Sequence, residues 1–306
     1  MKVLFVGSVD FSLHCLREVQ KIRDYIQLVG VMNPDSAYAR FNSDYVDLEP
    51  IAQAYNIPFF RIRKINDPEN IPLIRSLNPD VIFVFGFSQL ISNELLKFPR
   101  LGCIGSHPAL LPRNRGRHPL IWSLVEGLSE SGLTFLYLDE GIDSGDILWQ
   151  KPFPITSDDT SAALYEKIKL LASQAIAEFI PQLAEGKAPR IPQDHSKATY
   201  WRKRTEQDGE IKWKHSAMAS YNLIRALTHP YIGAHTYLGG IRVIVWKSNL
   251  FQPATDQPLG TPGEILDYKP GYLLVQCGNG ALKITDWETS ESIGFKTGLI
   301  FGKQES

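Results

Sequence analysis

Apolar and polar positions follow two rhythms along this chain. Lys2 to Gly7 (KVLFVG) is a short apolar run ending in glycine and predicts a β-strand. Phe11, Leu13, Leu16, Val19 and Ile22 then recur at helical spacing, and Ser8 or Asp10 suits the cap of that helix. Ile26 to Met32 predicts a second strand, Asn33 to Asp44 a polar loop, Tyr45 to Tyr55 a helix, and Pro58 to Ile62 a third strand. Asp67 to Leu77 predicts a helix with Pro68 near its start, where a missing N–H is tolerated. Val81 to Phe87 (VIFVFGF) is almost continuously apolar, as a strand covered on both faces requires. The longest helical pattern runs from Ser161 to Leu183, with Gly186 and Pro189 suited to end it.

Strands alternating with helices predict an α/β fold built on a doubly wound, mostly parallel sheet. Ligands bind such sheets outside the carboxyl ends of the strands. Ser8, Ser88, His107 and the loop beginning at Asp139 all lie at or just beyond expected strand ends, so one mouth of the sheet should gather them. Neither GxGxxG nor GxxxxGK[ST] occurs, which argues against a dinucleotide or ATP site of those kinds.

The tail has another character. Pro189 to Asp208 is polar and irregular and is the expected linker. Ser216 to Leu227 predicts one helix. Gly233 to Trp246 and Gly263 to Trp287 are rich in β-branched and aromatic residues, broken by Gly239-Gly240, Pro270-Gly271 and Asn279-Gly280. The expected organisation is a first domain over 1–190, a linker over 191–207, and a small OB-like β-barrel over 208–306.

Composition narrows the function classes. The chain has 306 residues, 43% hydrophobic and 21% charged, enough for two ordinary domains. A net charge of −1 supplies no basic excess for nonspecific nucleic-acid binding. Cys15, Cys103 and Cys277 are too far apart in sequence for a metal-ligand spacing or a disulfide framework. His14, His195, His215, His229 and His235 show no paired metal spacing either, so no metal is expected. MKVLFVGSVDF is too short an apolar run for a signal peptide, and no run approaches the ~20 residues of a membrane span. A cytoplasmic protein without membrane contact is expected.

The chemistry concentrates in Gly102 to Asp146. His107 ends an apolar run, Asp143 lies 36 positions later in an acidic loop, and prolines, glycines and arginines fill the space between. A histidine titrating near neutral pH can act as acid, base or hydrogen-bond donor, and a nearby carboxylate orients it and favours its charged form. Asp139 and Asp146 suit loop shaping. His118 suits the lining of the site or a cap before Pro119.

These residues carry a family resemblance. His107-Pro-Ala-Leu-Leu-Pro, Arg115-Gly-Arg, Gly132-Leu-Thr and Asp139-Glu-Gly-Ile-Asp-Ser-Gly-Asp closely resemble the formyltransferases that use 10-formyltetrahydrofolate. The opening KVLFVGSVDFS resembles that family's first strand and turn. DGEIKW (Asp208 to Trp213), NLIRAL (Asn222 to Leu227) and GAHTY (Gly233 to Tyr237) resemble the C-terminal barrel of its tRNA-directed members and the equivalent region of its amino-sugar-directed members. The resemblance implies a formyl transferase with His107 and Asp143 as catalytic residues. It implies folate contacts from Phe87, Ser88, Gln89, Leu90 and Ile91, and from Leu138, Asp139, Glu140 and Gly141, mainly through backbone groups. Arg115 and Arg117 are candidates for gripping a phosphorylated acceptor, because arginine forks fit phosphate oxygens. Ser8 is a further substrate-contact candidate.

One position departs from the pattern. The family's third catalytic member is an asparagine two positions before the histidine, and here that position is Gly105. Losing one oxyanion donor typically costs ~10²–10³ in rate. Three readings stay open: another donor serves, with Ser88, Gln89 or an ordered water as candidates; the reaction is slower or altered; or the fold binds without transferring. For the acceptor, the loop Asn33 to Asp44 carries one arginine, Arg40, against Asp35 and Asp44, which disfavours tRNA phosphates. A nucleotide-linked amino sugar is therefore the expected acceptor, with methionyl-tRNA the alternative. The run Tyr200 to Arg204 (YWRKR) is read as a solvated edge before nucleic-acid contact. A homodimer is compatible with the sequence.

Overall fold

The computed structural model describes residues 1–35, 44–251 and 259–302. Most of the acceptor-loop argument, Arg40 included, thus falls outside the described residues. Two compact units divide the chain. The first comprises Met1–Pro119, Glu130–Phe153 and Glu166–Trp201; the second comprises Leu120–Ser129, Pro154–Tyr165 and Arg202–Ser306. Residues 191–207, expected as a linker, are built into both units.

The first unit holds the predicted parallel sheet. In chain order come β1 (Lys2–Val6), α1 (Asp10–Lys21), β2 (Gln27–Pro34), α2 (Glu49–Ala54), β3 (Phe59–Ile62), α3 (Asn70–Leu77), β4 (Val81–Val84), α4 (Asn93–Lys97) and β5 (Cys103–His107). After β6 (Arg115–Gly116) and α5 (Pro119–Val125) follow β7 (Glu130–Tyr137), β8 (Ile147–Pro154), α6 (Ser161–Ala184) and β9 (Tyr200–Trp201). Seven strands hydrogen-bond in the order β3-β2-β1-β4-β5-β7-β8. β3, β2, β1, β4 and β5 run parallel, and β7 runs antiparallel to β5. The order reverses between β1 and β4, which opens a crevice at the carboxyl ends of the central strands.

The burial pattern explains these elements. Val81 to Phe85 are all fully or nearly fully buried, as a central strand under helices on both faces demands. Leu4, Val6, Met32, Ile74, Ile82 and Leu95 form one core layer. On the other face Phe83, Phe85, Phe135 and Phe179 cluster with centroids 5.0–6.0 Å apart, Phe83 stacked on Phe85 and the other pairs edge-on or tilted. α2 begins at Glu49 rather than Tyr45, because Tyr45 and Asp47 are drawn away by Arg61 and by the Pro34 carbonyl. α1 is capped by neither Ser8 nor Asp10. Instead Ser12 Oγ reaches back and accepts from the Ser8 and Val9 amides, at 3.0 and 3.1 Å.

The second unit carries α7 (Ala217–Leu227), with Ser216 Oγ accepting from the Ala219 amide as its N-cap. β10 (Ala234–Leu238), β11 (Ile241–Phe251), β12 (Ile265–Lys269), β13 (Tyr272–Gln276) and β14 (Ala281–Thr289) form an antiparallel sheet in the order β10-β11-β14-β13-β12. α7 packs on β11. No helix of the described residues is long and apolar enough to cross a membrane.

Candidate active site

β5 delivers His107 at its carboxyl end, 4% exposed. Its Nε2 lies 2.7 Å from the Asn114 carbonyl oxygen. A carbonyl only accepts, so Nε2 carries a hydrogen and Nδ1 is the nitrogen left for chemistry. Nδ1 lies 3.5 Å from Asp143 Oδ2. That spacing is an ion-pair distance, longer than a direct hydrogen bond. The same Oδ2 accepts from the Gly116 amide at 2.9 Å. Asp143 has φ +49°, a left-handed conformation that aspartate tolerates better than most residues. Gly116 has φ +104°, and a Cβ there would collide with the Trp201 carbonyl, so only glycine brings this amide to Asp143.

Beside the pair lies a cleft of about 400 Å³. Val84, Leu96 and Leu138 contribute apolar wall, and Leu90 and Ile142 stand 77% and 56% exposed at it. Of the expected folate-contact residues, Phe87, Ser88, Gln89, Leu90, Ile91, Leu138, Asp139, Glu140 and Gly141 all line this cleft, as do His107, Asp143, Arg117 and His118. Asp139 shapes its own loop by accepting from the Gly141 amide and the Ser144 hydroxyl. Glu140 pairs with Lys97 at 3.0 Å.

Two expected contacts are corrected. Ser8 is 1% exposed, and its hydroxyl donates to the Gly86 carbonyl at 3.0 Å, tying β1 to the turn after β4. Arg115 is 1% exposed, outside the cleft, with its guanidinium committed to Gln193, Tyr200 and His195. Neither offers a group to a substrate. Arg117 is exposed in the cleft, and its Nη1 donates to the Ser88 carbonyl at 3.3 Å.

The space above Gly105 is taken by Leu138. A Cβ on Gly105 would lie 2.5 Å from Leu138 Cδ2. Of the substitute donors, Gln89 is occupied: its Oε1 accepts from the Ile65 amide and its Nε2 donates to the Arg63 carbonyl. Ser88 lines the cleft and is exposed. Cys103, one turn of the pleat away, is no nucleophile, since burial pushes its thiol up to about 12. Gln193 is the residue that sequence reasoning missed. It sits in the expected linker, and nothing in its local sequence signals burial.

The sheet thus sets a histidine and a carboxylate beside one cleft, a pairing able to move protons and to stabilise developing charge. The formyl transferase family matches residues 3–180, and the formyl transferase C-terminal domain matches residues 203–293. The methionyl-tRNA formyltransferase of Geobacter metallireducens is 34% identical over 288 residues, covering 94% of this chain and 90% of the relative. WlaRD, a sugar 3N-formyl transferase solved in the presence of dTDP and 5-N-formyl-THF, superposes with a TM-score of 0.67 at 20% identity, over 96% of this chain and 99% of that one. The N-formyltransferase of Helicobacter canadensis, solved with folinic acid and dTDP-3-aminofucose, gives 0.66 at 19%, over 94% and 100%. The chain belongs to the formyl transferase family and is a formyl-transferring enzyme.

Proposed function

We propose that this chain moves a formyl group from 10-formyltetrahydrofolate to a primary amine, with His107 and Asp143 as its catalytic residues. The observation that carries the reading is the split of the His107 ring: Nε2 is pinned to the Asn114 carbonyl, and Nδ1 is turned to Asp143 at the cleft. In its neutral form Nδ1 is a lone pair that can take the proton lost by the attacking amine. In its charged form Nδ1–H is a donor for the formyl oxygen as negative charge develops there, with the Asp143 carboxylate 3.5 Å from the same nitrogen. The cleft fits a flat pterin ring in size and in its apolar walls. Phe87 to Ile91 and Leu138 to Gly141 would hold that ring.

The relatives weigh toward methionyl-tRNA as the acceptor. Several at 31–34% identity over nearly the whole chain carry that name, against the amino-sugar acceptor expected from charge alone. Arg117, an exposed guanidinium in the cleft, supports the second reading, a nucleotide-linked amino sugar. The purified chain is incubated with 10-formyltetrahydrofolate and either methionyl-tRNA or a panel of nucleotide amino sugars, following tetrahydrofolate release. Formylmethionyl-tRNA is the expected product. Turnover on the sugars alone establishes the second reading. Folate binding without turnover on any acceptor overturns both.

A further inference from the structure

Gln193 is 6% exposed, and all of its amide's hydrogen-bonding capacity is used. Nε2 donates to the Asp143 carbonyl at 2.9 Å and to the Gly145 carbonyl at 2.6 Å. Oε1 accepts from Arg115 Nε at 3.2 Å and Nη2 at 2.7 Å. Arg115 is anchored in turn: Nη1 donates to the Tyr200 hydroxyl at 2.9 Å, and Nη2 lies 3.1 Å from His195 Nδ1. The residue after Arg115 is Gly116, whose amide holds the Asp143 carboxylate. The contacts close a ring from the Asp143 backbone through Gln193, Arg115 and Gly116 to the Asp143 side chain.

We infer that Gln193 is a positioning residue that fixes the Asp143 carboxylate beside His107, an inference that rests on the formyl-transfer reading of those two residues. A left-handed aspartate persists only where its surroundings over-determine it. Gln193 supplies that restraint from the backbone side, and Gly116 supplies it from the carboxylate side. Among side chains of this size only an amide serves, because one edge must donate to two carbonyls while the other accepts from a guanidinium. Glutamate keeps the accepting edge and turns a second oxygen on the carbonyls of Asp143 and Gly145. Leucine keeps neither edge.

Gln193→Glu in the full chain is therefore the informative variant, with Gln193→Ala beside it. Glutamate can still pair with Arg115, so the Arg115 contact survives the change while the hydrogen bonds to the Asp143 and Gly145 carbonyls do not. The expected result is a kcat lower by about ten- to a hundredfold, as for a carboxylate displaced by ~1 Å, with KM for the folate donor nearly unchanged. In an Asp143→Ala background, Gln193→Glu should cost nothing further, because the group it positions is gone. Independently of turnover, hydrogen exchange at the Gly116 amide should accelerate in Gln193→Glu, and likewise in Asp143→Ala, which removes the acceptor of that amide. Wild-type kcat with wild-type Gly116 protection in Gln193→Glu overturns the inference, as does an undiminished loss in the Asp143→Ala background. If the unmodified chain transfers no formyl group, the transfer reading fails on that result, and Gly116 exchange alone still decides whether Gln193 holds Asp143.

Discussion

Leu138 occupies the space above Gly105 that a side chain would need. The ideal Cβ position on Gly105 is 2.5 Å from Leu138 Cδ2 and 3.1 Å from its Cγ. Gly105 lies on β5 and Leu138 directly follows β7, where its amide donates to the Cys103 carbonyl at 2.8 Å. The position that the resemblance gives to an asparagine is here covered by an apolar side chain. An apolar wall stands where an amide would donate to the developing oxyanion. Replacing Gly105 alone does not recreate that donor, since Leu138 must first turn away.

The two changes should be interdependent. Gly105→Asn by itself should overpack the strand edge, destabilise by about 1–3 kcal/mol and leave kcat no higher. Gly105→Asn combined with Leu138→Ala opens the space and should raise kcat at least about tenfold, toward the ~10²–10³ that one oxyanion donor contributes. Single-turnover formyl transfer on the two singles and the double checks this. A double variant no faster than wild type means that an existing donor, with the Ser88 hydroxyl the first to examine, already serves the oxyanion.

Asp143 separates charge from conformation. Asparagine tolerates φ +49° and can still accept from the Gly116 amide, so Asp143→Asn should keep the fold. It removes the charge facing His107 Nδ1 and should lower kcat by ~10²-fold or more. Asp143→Ala should lose similar activity and a further ~1 kcal/mol of stability, because alanine resists the left-handed region. Thermal unfolding and steady-state rates on both variants distinguish the two effects.

That His107 and Asp143 come together was legible from residue type, from position after a strand and from the family resemblance of the segments that carry them. The central sheet was legible too: Val81 to Val84 can be little else. β8 was not, since ILWQKPFP holds two prolines. The strand lies at the sheet edge, where proline does not break a ladder between two neighbours. Arg115 read as a phosphate grip because an arginine between glycines and prolines resembles a binding loop. Its burial is decided by Gln193, His195 and Tyr200, some 80 residues further on, and local pattern carries no trace of that. The filling of the Gly105 space was hidden likewise, since it depends on Leu138, a side chain just beyond the end of β7 and 33 positions away in sequence.

Arg117 is the cleft's exposed cation and discriminates between acceptors. If the acceptor brings a phosphate to this cleft, Arg117→Ala should raise the acceptor KM about tenfold, the loss of one or two charge-assisted hydrogen bonds, with kcat nearly unchanged. If Arg117 serves only to brace the Ser88 carbonyl, the folate KM should rise instead. Varying each substrate separately in initial-rate measurements gives the answer.

In the second unit, the basic run Arg202 to Arg204 is tied down internally. Arg202 grips Asp208 with Nη1 and Nη2, at 2.7 and 2.5 Å, and Arg204 Nη2 donates to the Asp208 carbonyl at 2.7 Å. Both guanidinium groups lie over the Trp122 ring, 5.3 and 5.7 Å from its centre. Arg202's hydrogen bonds, joined by those of Thr205, hold the Asp208 carboxyl far below the usual carboxylate range against the opposing effect of burial. A folded-state pKa depressed in this way contributes stability above the unfolded value, near ~4, and that contribution is lost as pH falls through the folded value. Arg202 is largely exposed, so solvent screening keeps the pair's contribution small. Asp208→Asn should therefore melt below wild type at pH 7, and the gap should narrow as pH falls from about 4. Thermal scans of both proteins from pH 7 to pH 3 test it. A gap that stays constant across that range would mean that Asp208 acts through the Thr205 turn and not through its charge.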